Sequence, residues 1–129
     1  MGKEGTFTNH LSKMKSLTSF EINLSKTNVK QEVVEKLLKV LCSMTNLERL
    51  GLNLSSIEDL NPSSLIVDLL GKLKKLVSIK LYLLDLNCST ENNFEICQAL
   101  GKLKSLEEFE LKLGKTLDSK GLAKIKKVI

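Results

Sequence analysis

Few side chains in this chain are of the types that do chemistry, and fewer are spaced to do it together. His10 is the single histidine. It stands beside Leu11 with no nucleophile in reach along the sequence, so it reads as a capping or surface residue rather than a base. The three cysteines, Cys42, Cys88 and Cys97, are an odd number without framework spacing and include no C-x-x-C pair, which argues against both a disulfide scaffold and a zinc site. Cys42 and Cys97 fall in apolar helical patterns and read as small buried residues. Cys88 falls in a loop with no identifiable partner base. The acidic pairs Glu107-Glu108 and Glu58-Asp59 point to different faces or lie in loops. The seven glycines are scattered, and no phosphate-cradling run exists. The expectation is a protein that is not an enzyme and takes no metal or cofactor.

Lysine is the residue type whose placement is regular. Lys13, Lys15, Lys72, Lys74, Lys75, Lys102 and Lys104 recur at matching positions of a repeat defined below, with Ser43 and Thr45 interrupting the series. Lys126 and Lys127 would extend it. Such a stripe would suit phosphates or an acidic protein surface. The bland alternative is that lysines near helix C-termini favour the macrodipole and keep the rim hydrated. No aromatic side chain interleaves with them, which disfavours base stacking.

The elements that must position these residues are repeated. Residues 16–24 (SLTSFEINL), 46–54 (NLERLGLNL), 75–83 (KLVSIKLYL) and 105–113 (SLEEFELKL) align in register. Their leading leucines are Leu17, Leu47, Leu76 and Leu106, 30, 29 and 30 residues apart by subtraction. Each copy alternates apolar and polar residues, the pattern of a half-buried strand, so four strands are expected near 17–24, 47–54, 76–83 and 106–113. Between them, apolar positions recur at helical spacing. These are Phe7, Leu37, Ile66 and Ile96; Leu11, Leu41, Leu70 and Leu100; and Met14, Met44, Leu73 and Leu103. Small residues (Ser12, Cys42, Gly71, Gly101) mark where each helix gives way to the next strand. Asn61-Pro62 and Asn28 with Gln31 read as helix starts, and Asp118 as the cap of a last helix that would turn Leu122, Ile125 and Ile129 inward.

This arrangement resembles the leucine-rich-repeat family, in particular its long-repeat, ribonuclease-inhibitor-like class. The L-G-K-L-K-x-L runs at Leu70 and Leu100 are similar to protist members. The resemblance covers roughly residues 7–129. It implies one α/β leucine-rich-repeat solenoid domain, with four parallel strands on one face and helices on the other. The family's Asn or Cys after the strand is replaced here by Ser25, Ser55, Leu84 and Gly114. The ladder that satisfies the turn is therefore expected to be missing and the post-strand loops irregular. One strand and one helix cannot bury an apolar face alone, so the copies must stack. The first strand has no obvious cover, and an open end would suit a fragment of a longer array or a neighbouring subunit.

In such a solenoid the polar alternates of the strands face outward. The candidate partner-binding set is Glu21, Asn23, Arg49, Asn53, Lys80, Tyr82, Glu110 and Lys112; Ser19, Gly51, Ser78 and Glu108 share the face. Tyr and Arg are enriched at interface hot spots. A purely solvated sheet face with Lys80 and Glu110 paired across strands is the plainer reading. The expected function is a non-catalytic protein–protein interaction scaffold, or a structural subunit of an assembly. The alternative is an RNA- or ribonucleoprotein-associated subunit using the lysine rim.

Composition is consistent with this. Apolar residues are 42% but aromatics only 4%, so aliphatic side chains must fill the core. The formal net charge of +5 permits an acidic partner without demanding one. No stretch is apolar enough for a membrane span, residues 1–10 lack the apolar core of a secretory signal, and the odd cysteine count without framework spacing suits a reducing, cytoplasmic setting. The sequons at Asn23, Asn53 and Asn87 fall in or just after strands and read as chance matches. The opening M-G-x-x-x-T matches the loose myristoylation pattern, but lysine after the glycine disfavours it.

Overall fold

The computed structural model describes residues 10, 11 and 13–113. The strands are β1 (Ser19–Asn23), β2 (Arg49–Asn53), β3 (Ser78–Leu83) and β4 (Glu108–Leu113). The helices between them are α1 (Gln31–Cys42), α2 (Ser63–Lys72) and α3 (Thr90–Gly101). The strands form one parallel sheet in chain order. Each crossover runs through a helix, which is what a parallel neighbour requires. α1 packs on α2 and α2 on α3.

The sequence repeat becomes spatial rows. Phe20, Leu50, Ile79 and Phe109 are register partners, as are Ile22, Leu52, Leu81 and Leu111. These rows face the helices, which supply Leu37, Leu38 and Leu41 from α1, Ile66 and Leu70 from α2, and Ile96 and Leu100 from α3 to one core. Burial follows position in the sheet. Leu50, Leu52, Ile79 and Leu81 on the inner strands are buried, whereas Phe20, Ile22 and Leu111 on the outer strands are half-buried.

The strands begin two residues later than the repeat suggests. The leading leucines belong to a turn before each strand. Their amides donate to Met14, Met44, Leu73 and Leu103 three residues back, at 3.1, 3.1, 3.3 and 3.4 Å. Met44, Leu73 and Leu103 are buried as expected, but Met14 is 47% exposed. It belongs to the first repeat, which among the described residues has a neighbouring strand on one side, β2. Phe109 in β4, at the other end of the described sheet, is 37% exposed. Phe7 and the Asp118 helix, with Leu122, Ile125 and Ile129, lie outside the described residues.

The loops after the strands vary in length, and the second has an additional left-handed residue, Asp59 (φ 57), but they share one turn. In each of the three, the tenth repeat position adopts a left-handed backbone: Lys26 (φ 59), Ser56 (φ 57) and Asp85 (φ 53). The ladder exists but is built from different residues. Asn23 and Asn53, the last residues of their strands, accept the amides of Ser25 and Ser55 at 2.9 and 3.1 Å. Ser55 Oγ in turn accepts the Leu84 amide at 3.0 Å, doing at the ninth position what Asn or Cys does in the family pattern. Ser56 Oγ donates to Asp85 at 3.2 Å. The two sequons at Asn23 and Asn53 thus have a structural reason: asparagine turns the chain onto the serine two residues on.

Helix starts differ from expectation. α1 has Lys30 at its N-cap and no side-chain cap, because Asn28 lies two residues too early to reach the first turn. Gln31 instead donates to Glu35 at 3.1 Å and accepts the Asn61 amide at 3.3 Å. Asn61 serves α2 from one residue before its cap, accepting the Ser63 amide and hydroxyl at 3.2 and 2.8 Å. A reciprocal capping box, Ser89 with Asn92, opens α3; its second member is Asn rather than Glu or Gln. Asn61 also donates to Asn92 at 3.2 Å, so Gln31, Asn61 and Asn92 tie successive helix starts together.

Candidate sheet-face interface

The outward rows are set by the same register. Ser19, Arg49, Ser78 and Glu108 form one; Glu21, Gly51, Lys80 and Glu110 the next; Asn23, Asn53, Tyr82 and Lys112 the third. Among the described residues no helix covers this side. Glu21, Asn23, Arg49, Lys80, Glu110 and Lys112 are exposed, and Asn53 and Tyr82 are half-exposed. The structure brings all eight sheet-face candidates onto one surface.

Their pairing differs from the simplest expectation. Lys80 and Glu110 are register partners, yet Glu110 accepts the Tyr82 hydroxyl at 2.5 Å instead. Among the described residues the ion pair on this face is Arg49 with Glu108, at 3.7 Å. Its side chains are 62% and 71% exposed, so it contributes at most about 1 kcal/mol. The Lys112 ammonium sits 4.9 Å from the Tyr82 ring centroid, a cation–π contact. Tyr82 is thereby held between Glu110 and Lys112. Its phenol is pushed above the ordinary tyrosine range, first by the hydrogen bond to the Glu110 carboxylate, then by desolvation and by the charges of Glu110 and Glu21.

Gly51 shapes the centre of the face. A Cβ there would stand 2.8 Å from Glu21 Cγ, so the Glu21 side chain leans across β2 because residue 51 has none. A shallow hollow of about 460 Å³ lies over this point, between Arg49, Lys80, Glu108 and Glu110. Asn23 and Asn53 take part less freely than expected, since their carbonyl oxygens are committed to the following turns.

The rim lysines differ in what they touch. Lys13, Lys15, Lys72, Lys74, Lys75, Lys102 and Lys104 are all exposed. Lys75 donates to Asn46 Oδ1 at 3.0 Å, and Asn46 donates to the Lys15 carbonyl at 3.4 Å. Lys74, Lys102 and Lys104 instead line a groove between α2 and α3. Lys126 and Lys127 lie outside the described residues. Sequence reasoning did not single out this groove, although the glycine at 71 was its signal.

Cys97 is buried. Cys42, expected to be buried, is half-exposed, as is Cys88. Burial raises both thiols; for Cys42 the Asp68 carboxylate adds to this and Lys72 opposes it. His10 is exposed and its carbonyl accepts the Lys13 amide. Among the described residues no group of three His, Cys, Asp or Glu converges as a metal site, and no helix is long and apolar enough to cross a membrane.

No protein-family model matches the chain, and no curated protein is similar to it. Among solved structures it is similar to the tropomodulin C-terminal domain from Caenorhabditis elegans, with a TM-score of 0.54 and 11% identity. The match covers 97% of this chain and 90% of that one. At that identity the likeness concerns the fold alone.

Proposed function

We propose that the chain is a short leucine-rich-repeat solenoid acting as a non-catalytic scaffold, and that it binds a protein partner on the outward face of its sheet. One observation carries the reading: among the described residues, helices cover one side of the parallel sheet and none covers the other. Parallel sheets are ordinarily covered on both faces, so a bare one is a surface with a use, and strand faces of stacked repeats are the usual binding surfaces of such proteins. The in-register sequence repeat and the fold likeness support the solenoid. A tyrosine clamped between Glu110 and Lys112, beside Arg49 and Lys80, offers the residue types enriched at hot spots with little rotamer freedom left to lose.

The test is quantitative affinity purification from the source cell with wild type and the double variant Arg49→Glu/Lys80→Glu. Both substitutions lie on exposed side chains, so the melting temperature should hold. A protein recovered in stoichiometric amount with wild type and lost with the variant is the expected result. Equal recovery by both would remove the sheet face as the binding surface.

A further inference from the structure

We infer that the groove between the C-terminal halves of α2 and α3 is a second docking site, for a protein segment that carries acidic side chains beside an aliphatic or aromatic anchor. The groove measures about 670 Å³. Its floor is aliphatic: Val67 and Leu70 from α2, Ala99 and Leu103 from α3 and the turn after it. Lys74, Lys102 and Lys104 wall it. Leu70 and Leu103 are buried, while Val67 and Ala99 are half-exposed and present apolar surface to whatever enters.

The preceding repeat explains why this groove is open. By repeat position, Gly71 corresponds to Cys42, and Lys74 to Thr45. Cys42 fills its place with a half-buried side chain packed on the core and close to Asp68 and Lys72 of α2. At Gly71 a Cβ would meet nothing within 4 Å. The same step along the solenoid therefore removes a side chain and adds a positive charge.

Charge decides the occupant. Three lysines face one acid, Glu95. The two helix C-termini contribute roughly half a negative charge each, which leaves the groove positive. None of the three lysines lies within ion-pair distance of a carboxylate among the described residues. A second copy of this chain carries +5 overall, and residues 114–129 carry five lysines against one aspartate, so neither complements the site. Nucleic acid would meet the lysines but not the floor, which offers aliphatic carbon and no aromatic platform for bases. An acidic peptide with an apolar anchor satisfies both parts, with the lysine stems extending the apolar walls.

The experiment selects a randomised short-peptide library against the immobilised full chain. The selected peptides are then titrated, fluorescently labelled, against variants. The site shares no residue with the sheet face, so Lys80→Glu is the control that separates the two readings. Enriched sequences should combine Asp or Glu with Leu, Ile or Phe. Gly71→Trp, which fills the groove, and Lys102→Glu/Lys104→Glu, which reverses its charge, should each weaken binding about tenfold or more, with Lys80→Glu unchanged. Should Gly71→Trp fail to fold, the charge-reversal variant carries the test. The inference is overturned if no peptide is enriched, if the enriched peptides lack acidic residues, or if the groove variants bind as wild type. It is also overturned if a labelled oligouridine binds more tightly than the peptides and is lost on lysine reversal.

Discussion

Tyr82 is the single tyrosine of the chain, so its ionisation can be followed without ambiguity. The neutral phenol donates to Glu110, and the phenolate would confront that carboxylate. Its midpoint should therefore lie above the ordinary value of about 10. A raised pKa means that the folded state holds the proton more tightly. The interaction is thus fully present below about pH 10 and is lost as pH rises through the folded value. Spectrophotometric titration of the phenol should show the raised midpoint in wild type and a return toward 10 in Glu110→Ala. An unshifted wild-type curve would mean that the Tyr82–Glu110 contact does not persist in solution. At this scale the sequence placed these residues on the outward side but did not foresee their pairing. Alternation identified Lys80, Tyr82 and Glu110 as outward. It could not say that Glu110 prefers the hydroxyl on the adjacent row to the ammonium directly opposite, because that choice depends on side-chain reach across a twisted sheet.

Among the elements, the strand-to-helix loops show where pattern reading fails and why. Serine or leucine at the ninth repeat position suggested an unsatisfied turn. The asparagines that satisfy it, Asn23 and Asn53, were visible but assigned to the binding face because strand alternation pointed them outward. Both residues do lie on the outward rows, and a terminal strand residue can face outward and still fold its amide oxygen over the next turn. The capping box at Ser89 was missed for a similar reason, as Asn92 replaces the usual Glu or Gln. Ser55 is the link between neighbouring loops. It is nearly buried, and its hydroxyl accepts the Leu84 amide. Ser55→Ala leaves that amide without its acceptor and should cost about 1–3 kcal/mol, read as a lowered midpoint in urea unfolding. A midpoint within error of wild type would show that water replaces the serine and that the ladder contributes nothing.

For the whole molecule, stacking of copies accounts for the gradient of burial across the sheet. Leu50 sits between two neighbours and is 3% exposed, whereas its row partner Phe109 is 37% exposed. Leu50→Ala should cost about 2–5 kcal/mol and lower the melting temperature in a single cooperative transition. Phe109→Ala, although it removes a larger side chain, should cost less. The reverse order would contradict the assignment of β4 as an outer strand. Four in-register copies made this architecture legible from sequence, and the inner face was read almost completely. Met14 departs because a repeat position predicts burial only where a neighbouring repeat supplies the other wall. The groove at Gly71 departs because its meaning lies in the contrast between two adjacent copies.

The bare sheet face is the centre of the account, and site-specific photo-crosslinking examines it most directly. A photoreactive phenylalanine analogue is placed in the full chain at position 80 on the sheet face, or at position 36, an exposed lysine on α1. Each protein is irradiated in extract of the source cell. A discrete protein adduct is expected from position 80, absent from position 36 and suppressed by excess unlabelled wild-type chain. Adducts from position 36 alone, or none from position 80, would contradict it.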